Sequence, residues 1–298
     1  MQPAFKGYAY ALLATVAVST VYIFSKAALN EVNLAQFGVY WFALALVWNG
    51  LFALRSEEHR QFRLASRKSF KILLLLGLIE IIATGAFYGA IAITPNPAIP
   101  SFLRNLEYIF ITLFGIFLLK ESFTKIEIAG IILTFAGAFV ISYQKGAPLT
   151  AYLSGTSGLM LISTSFYGVR TMIAKKNIRT ITPTMLAVNR AIFLLAVSFL
   201  LLKWMGQSLV IPTSAMINIA LGSFLGPFMT SYSQYSALKY IEASRASIVQ
   251  STTAFFVLVG AYLFFGKFPA GFELVGGLLT IVGVLILLLK KKQVKSGG

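Results

Sequence analysis

The 298-residue chain has no cysteine, no aspartate and a single histidine, His59. Without thiols there are no disulfides, thiolate zinc sites or cysteine nucleophiles. Without aspartate, and with one histidine, Ser-His-Asp triads, His-rich metal centres and the usual magnesium clamps are excluded as well. No Gly-rich loop ending in Gly-Lys-Ser/Thr is present, so nothing is built to hold a nucleotide. No metal, no cofactor and no enzymatic activity are expected. Charge is also scarce, at 11% of residues against about 25% in a soluble domain. Hydrophobic residues make up 58%, and the mean hydropathy is +0.82. That leaves too little polar surface to cover a water-soluble globule. A net charge of +16 would suggest nucleic acid in a soluble protein. Here most basic residues lie between long apolar runs, so the charge reads as membrane topology and no nucleic-acid partner is expected.

A bilayer core about 30 Å thick needs roughly 20 apolar residues in a helix. Such stretches recur ten times, near 7–28, 34–54, 71–93, 97–118, 124–143, 152–173, 183–203, 215–238, 243–264 and 270–289. The breaks are short and carry turn chemistry, as in Thr94-Pro95-Asn96-Pro97, Lys145-Gly146-Ala147-Pro148 and Thr182-Pro183. No connection is long enough for a soluble domain. The first stretch lacks a small-residue cleavage site before a soluble mature chain, so it reads as a spanning helix.

Placing the N-terminus in the cytoplasm puts eighteen of the 25 basic residues on the inner side, with Arg55 to Lys71 and Lys290 to Lys295 the densest groups. Only Lys26, Lys145, Lys203 and Lys267 fall outside, and Arg104, Arg170 and Arg190 lie within helices. Adding or removing one helix destroys this alternation. The expectation is a multi-pass protein of the cell inner membrane with both termini cytoplasmic.

The two halves resemble each other at a shift near 146. Glu127 falls on Glu273, Gly130 on Gly276 and Gly137 on Gly283. Ser19-Thr20 with Lys26 matches Ser163-Thr164 with Arg170, and Tyr88-x-Ala90-Ile91 matches Tyr235-x-Ala237-Leu238. Five crossings per half start the second half on the opposite side. The fold class is therefore all-α, ten transmembrane helices in two inverted five-helix repeats, with domains at 1–148 and 149–298. This layout, with a Lys-Glu-x-x-Thr turn (Lys120 to Thr124) leading into Glu127-x-x-Gly130-x6-Gly137, resembles the drug/metabolite transporter superfamily, EamA type. The chain departs from that pattern where Trp41 stands in the first half opposite Arg190 in the second, and where Lys267 stands opposite Glu121. The resemblance implies a central cavity lined by helices 1, 3, 4, 6, 8 and 9, with 5 and 10 outside. It also implies transport of a small metabolite, often amino-acid or drug-like export.

An ionisable group at bilayer depth costs several kcal/mol unless it is paired or hydrated, so each is a candidate functional residue. Arg104, Glu107 and Tyr108 share one face of helix 4, roughly 10–15 Å from its outer end at 1.5 Å per residue. Two roles fit: Arg104 holding a substrate carboxylate or phosphate while Glu107 holds an amine or a proton, or an internal pair that neutralises itself. Glu80, with Thr84, Phe87 and Tyr88 along its stripe, is a proton-coupling candidate or the partner of Arg190 or Arg104. Arg190 is expected to be structural or gating, and Arg170, near an inner helix end, to snorkel towards the interface. Gln250 is the repeat partner of Arg104, so it is expected at the same cavity, with Thr253 and Ser247 on its stripe. Tyr22, Tyr88 and Tyr235 are the deep aromatics expected to wall a substrate. Gly85-x-x-x-Gly89 and Gly222-x-x-x-Gly226 signal close helix packing. Gly226-Pro227 breaks the helical ladder at mid-membrane, as a hinge or a packing kink.

The function expected is secondary transport, the chain lacking any nucleotide site. Its partners are a small metabolite, the lipid bilayer and, as the candidate coupling ion, the proton. The alternative is an intramembrane enzyme or a carrier acting on a lipid-linked substrate.

Overall fold

The computed structural model describes residues 3–55, 66–119, 124–141, 143, 153–177, 180–230, 233, 236–237, 240, 249–250 and 252–290. Among these there is no strand. In chain order the helices are α1 (Pro3–Leu29), α2 (Leu34–Arg55), α3 (Arg67–Ile93), α4 (Ala98–Leu103), α5 (Leu106–Leu119) and α6 (Lys125–Ile141). After them come α7 (Gly155–Asn177), α8 (Pro183–Trp204), α9 (Thr213–Ser223), a π-helical segment (Phe224–Thr230), α10 (Thr253–Phe265) and α11 (Gly271–Lys290). Four described helical stretches, Phe5–Leu29, Leu34–Arg55, Arg67–Ile93 and Thr184–Trp204, are each long and apolar enough to cross a membrane.

Local chemistry sets the helix ends. The Ser66 hydroxyl accepts from the Ser69 amide at 3.1 Å and opens α3. Thr182 does the same for α8, ahead of Pro183, whose missing N–H costs nothing at a helix start. The α10 helix stops at Gly266, whose φ of 61° is the left-handed conformation that glycine tolerates best. On one side of the molecule the first connection clasps the segment before α9. Gln36 donates to the Ser208 carbonyl at 3.0 Å, Asn33 to Gln207 at 3.2 Å, and Ser214 to Glu31.

Counted as spans, α4 and α5 form the fourth, α9 with the π segment the eighth, and α10 and α11 the last two. The packing then maps onto itself when spans 1–5 are exchanged with 6–10. Span 1 packs on 8 and 9 as span 6 packs on 3 and 4, and span 2 packs on 8 as span 7 packs on 3. Spans 2 and 7, and spans 5 and 10, pack on their own counterparts. The last pair makes the symmetry visible atom by atom. A Cβ at Gly137 would sit 2.6 Å from the Gly276 carbonyl and 2.7 Å from the Thr280 nitrogen. One at Gly283 would sit 2.7 Å from both the Gly130 carbonyl and the Thr134 nitrogen. These contacts are the same under the shift of 146, and they run antiparallel, as inverted repeats require.

Backbone cannot yield here as a side-chain tip would. Gly137→Leu is expected to force α6 and α11 apart, at a cost of about 3 kcal/mol or more. Thermal unfolding of the purified protein checks this; a melting point unchanged from wild type would contradict the contact. By contrast, Gly85-x-x-x-Gly89 is not a close-packing site. Among the described residues, a Cβ at Gly85 would meet nothing within 4 Å, and at Gly89 only Leu159 at 3.5 Å. The second pair does pack closely: Gly222 takes the Trp41 ring, 2.6 Å from a would-be Cβ, and Gly226 takes Val21.

Candidate functional site

The fourth span is not the continuous helix expected over 97–118. Around Arg104 and Asn105 the backbone bonds skip three residues instead of four: Asn105 N–H to Phe102 O at 3.1 Å, Glu107 to Arg104 at 3.0 Å, Tyr108 to Asn105 at 3.2 Å. This tighter winding separates α4 from α5. The Asn105 amide, buried in the bundle, is anchored outside its own helix on the Thr280 hydroxyl at 3.2 Å. At the break, Arg104 Nε donates to Glu107 Oε2 at 2.7 Å.

The guanidinium of Arg104 points into the bundle. Its Cζ lies 4.3 Å from the Tyr167 ring centre on α7 and 5.2 Å from that of Phe87 on α3. The ring faces supply a cation–π attraction that is larger where water is thin. The side chain is nevertheless 30% open, and that of Glu107 14%. The rings that flank the guanidinium come from spans 3 and 6. Tyr22, buried on α1, lies close enough to feel the charges of both Arg104 and Glu107.

Deeper in the bundle, Glu80 on α3 collects a second group. Arg170 Nη1 donates to Oε1 at 2.8 Å, and Arg190 Nε lies 3.3 Å from Oε2. The Thr84 hydroxyl, one turn along α3, donates to Oε2 at 2.7 Å. Arg170 therefore does not snorkel. A carboxylate within reach inside the bundle outweighs the stretch to a headgroup, because an unpaired glutamate at this depth would be costly. Of the partners expected for Glu80, Arg190 is present and Arg104 is not, since Arg104 has its own acid three residues away.

Tyr167 joins the two groups. Its hydroxyl is 2.8 Å from Thr84 Oγ1 and accepts from Arg190 Nη2 at 3.3 Å. Its ring centre lies 4.3 Å from the Arg104 guanidinium carbon and 5.2 Å from that of Arg170. Tyr167 is not among the site residues expected from the sequence. The available signal was its spacing of three from Arg170, which puts both on one helix face.

The remaining candidates are placed as follows. Tyr88 sits 4% exposed inside an aromatic cluster, its ring 4.9 Å from Phe37, 5.0 Å from Phe87 and 5.7 Å from Trp41. Tyr108 is half-buried at the start of α5, within electrostatic reach of Glu107 and Arg104. Gln250 is half-buried on the turn before α10, where its carbonyl accepts from Thr253 at 2.7 Å. Tyr235 and Ser247 lie outside the described residues. Pro227 stands inside the π-helical segment, which widens the helix where its missing N–H breaks the ladder. Away from the charges, an apolar opening of about 570 Å³ is lined by Leu12, Val249, Thr252, Phe255, Phe256 and Ile281.

The model of the EamA-like transporter family matches the chain twice, over residues 5–143 and 156–289. No curated protein matches by sequence. Among solved structures, 28 chains match. One, a crystal structure described simply as that of a protein, aligns at a TM-score of 0.64 with 13% identity, covering 98% of this chain and 99% of that one. At that identity the likeness is one of fold.

Proposed function

The chain belongs to the EamA-like transporter family, and from that premise we propose a secondary transporter that carries a small organic metabolite, such as an amino acid, out of the cell by alternating access. The membership makes it a membrane transport protein; substrate, direction and mechanism are our reading. One observation carries that reading: an acid and a base, Glu107 and Arg104, meet 2.7 Å apart at a break in a spanning helix, with 30% of the arginine side chain left open. An amino acid carries the complementary charges. Its carboxylate takes Arg104 and its ammonium takes Glu107, each replacing part of an ion pair that already holds the site together. Tyr22, Tyr88 and Tyr108 supply aromatic walls, and Gln250 and Tyr235 are the candidates from the second half.

The repeats 1–148 and 149–298 are the two bodies whose exchange of conformations opens the site to alternate sides. The π segment at Gly226-Pro227 is the hinge, and Arg190 holds the closed arrangement through Glu80. A proton taken up by Glu107 or Glu80 couples the movement to the proton gradient. The protein sits in the cell inner membrane with both termini in the cytoplasm.

Counterflow tests this without any ion gradient. Purified protein in liposomes preloaded with an amino acid is expected to accelerate uptake of the labelled compound, with saturation as its concentration rises. Flux that stays linear in concentration would mean a pore, and conversion of the solute would mean an enzyme; either result overturns the proposal.

A further inference from the structure

The five charges of the cluster do not cancel. Glu107 is matched by Arg104 on its own span, so that pair sums to zero. Glu80 alone stands against both Arg170 and Arg190, so that group keeps one positive charge with its carboxylate ionised. Of the nine acidic residues, the other seven fall by sequence in connections or in the first turn of a helix. By sequence, none of them falls at the middle of an apolar run.

The hydrogen-bond count leans the same way. A guanidinium offers five N–H donors. Arg170 gives Nη1 to Glu80, and its buried Nε has no hydrogen-bond partner among the described residues. Arg190 gives Nη2 to Thr84 and Tyr167, and its Nε, though 3.3 Å from Glu80, is not aligned to bond it. Both side chains are open, by 29% and 31%. Two half-used guanidiniums sharing one carboxylate, inside a membrane, call for a further anion or for water in its place.

The geometry points to a second anion-holding place formed by Arg170 and Arg190, and we infer that the substrate is a small metabolite bearing two acidic groups and carried as a net anion. This rests on the reading of the cluster as the substrate site. It shifts the weight of anion recognition away from Arg104, which has a carboxylate of its own, to the pair that shares one. The two places are near enough for one small molecule. Arg104 Cζ and Arg170 Cζ lie 4.3 and 5.2 Å from the same Tyr167 ring centre, so they are about 9.5 Å apart at most. A diacid of about four or five carbons bridges such a span when each end reaches hydrogen-bond distance of its guanidinium. Tyr167 then underlies the bound molecule and keeps the two cations apart.

Matched acid and neutral pairs test this on the full-length purified protein: glutamate with glutamine, aspartate with asparagine, succinate with succinamate, and phosphoserine with serine. The acidic member of at least one pair is expected to bind about tenfold tighter or better than its neutral twin. Arg170→Gln and Arg190→Gln are each expected to abolish that preference, so that acid and neutral twin bind alike. Arg170→Lys, which keeps the charge, is expected to restore most of it, and melting curves show that each variant folds. Arg104→Gln is expected to weaken both twins alike. If the neutral twin binds as tightly as the acid in the wild-type protein, or if the preference survives in both glutamine variants, the second anion place is overturned while the transporter reading stands. If no compound of the panel binds and Arg104→Gln changes nothing, the substrate-site reading falls and this inference with it.

Discussion

Glu80→Ala is expected to destabilise the protein by about 3 kcal/mol, the lower end of the cost of breaking a buried ion pair. The reason lies in what remains. Arg170 and Arg190, 2.8 and 3.3 Å from the Glu80 carboxylate, would face each other inside the membrane with no acid between them. Each is open by about 30%, so water screens part of the repulsion and the full penalty is not reached. Thermal unfolding in detergent reads the loss. A triple variant, Glu80→Ala with Arg170→Ala and Arg190→Ala, separates lost attraction from exposed repulsion. Because no unpaired charge is left in it, it is expected to melt above the single variant. A single variant within about 1 kcal/mol of wild type would show that Glu80 is not the group holding spans 3, 6 and 7 together.

Arg104→Ala is expected to lower substrate affinity about 10- to 100-fold, the range for hydrogen bonds to charged groups, and to reduce counterflow in step. Three interactions go at once: the bond to Glu107 at 2.7 Å and the stacking on Tyr167 and Phe87 at 4.3 and 5.2 Å. Arg104→Lys keeps the charge but loses the planar fork that lies over two rings. It is therefore expected to fall between alanine and wild type, about tenfold below the latter. Transport by the alanine variant at the wild-type rate would remove Arg104 from the site.

How much of this was legible in the sequence divides by the range of the interaction. Ten apolar runs are local, and they carried the membrane class and the two-repeat helical layout. The repeat was legible because its glycines recur at one shift: Gly130 and Gly137 fall on Gly276 and Gly283, and in the structure Gly137 meets Gly276 as Gly283 meets Gly130. The pairing of Arg104 with Glu107 was legible because three residues of helix bring them to one face. The Glu80 group was only half so. Its partners are 90 and 110 positions away in the chain, and Arg170 looked close enough to a helix end to reach the interface. What decides its direction is a carboxylate on another span, which linear distance does not show. The break at Asn105 was hidden for the same reason, since its anchor is Thr280, 175 residues on. Gly85 and Gly89 misled in the opposite sense. A small-residue spacing allows close approach but does not compel it, and among the described residues a Cβ at Gly85 would meet nothing within 4 Å.

The central claim is that the charges at mid-membrane border an aqueous space. Because the chain has no cysteine, one introduced thiol reports on one place alone. Tyr108→Cys puts it on α5, one residue past Glu107, and Ile132→Cys puts it at an exposed, apolar position midway along α6. In sealed vesicles, a charged, membrane-impermeant thiol reagent reacts only with a thiol that water reaches. Rapid labelling at 108, slowed by bound substrate, with none at 132, is the result predicted. Equal inertness at both positions would mean that the cluster is sealed and dry, and would contradict the account.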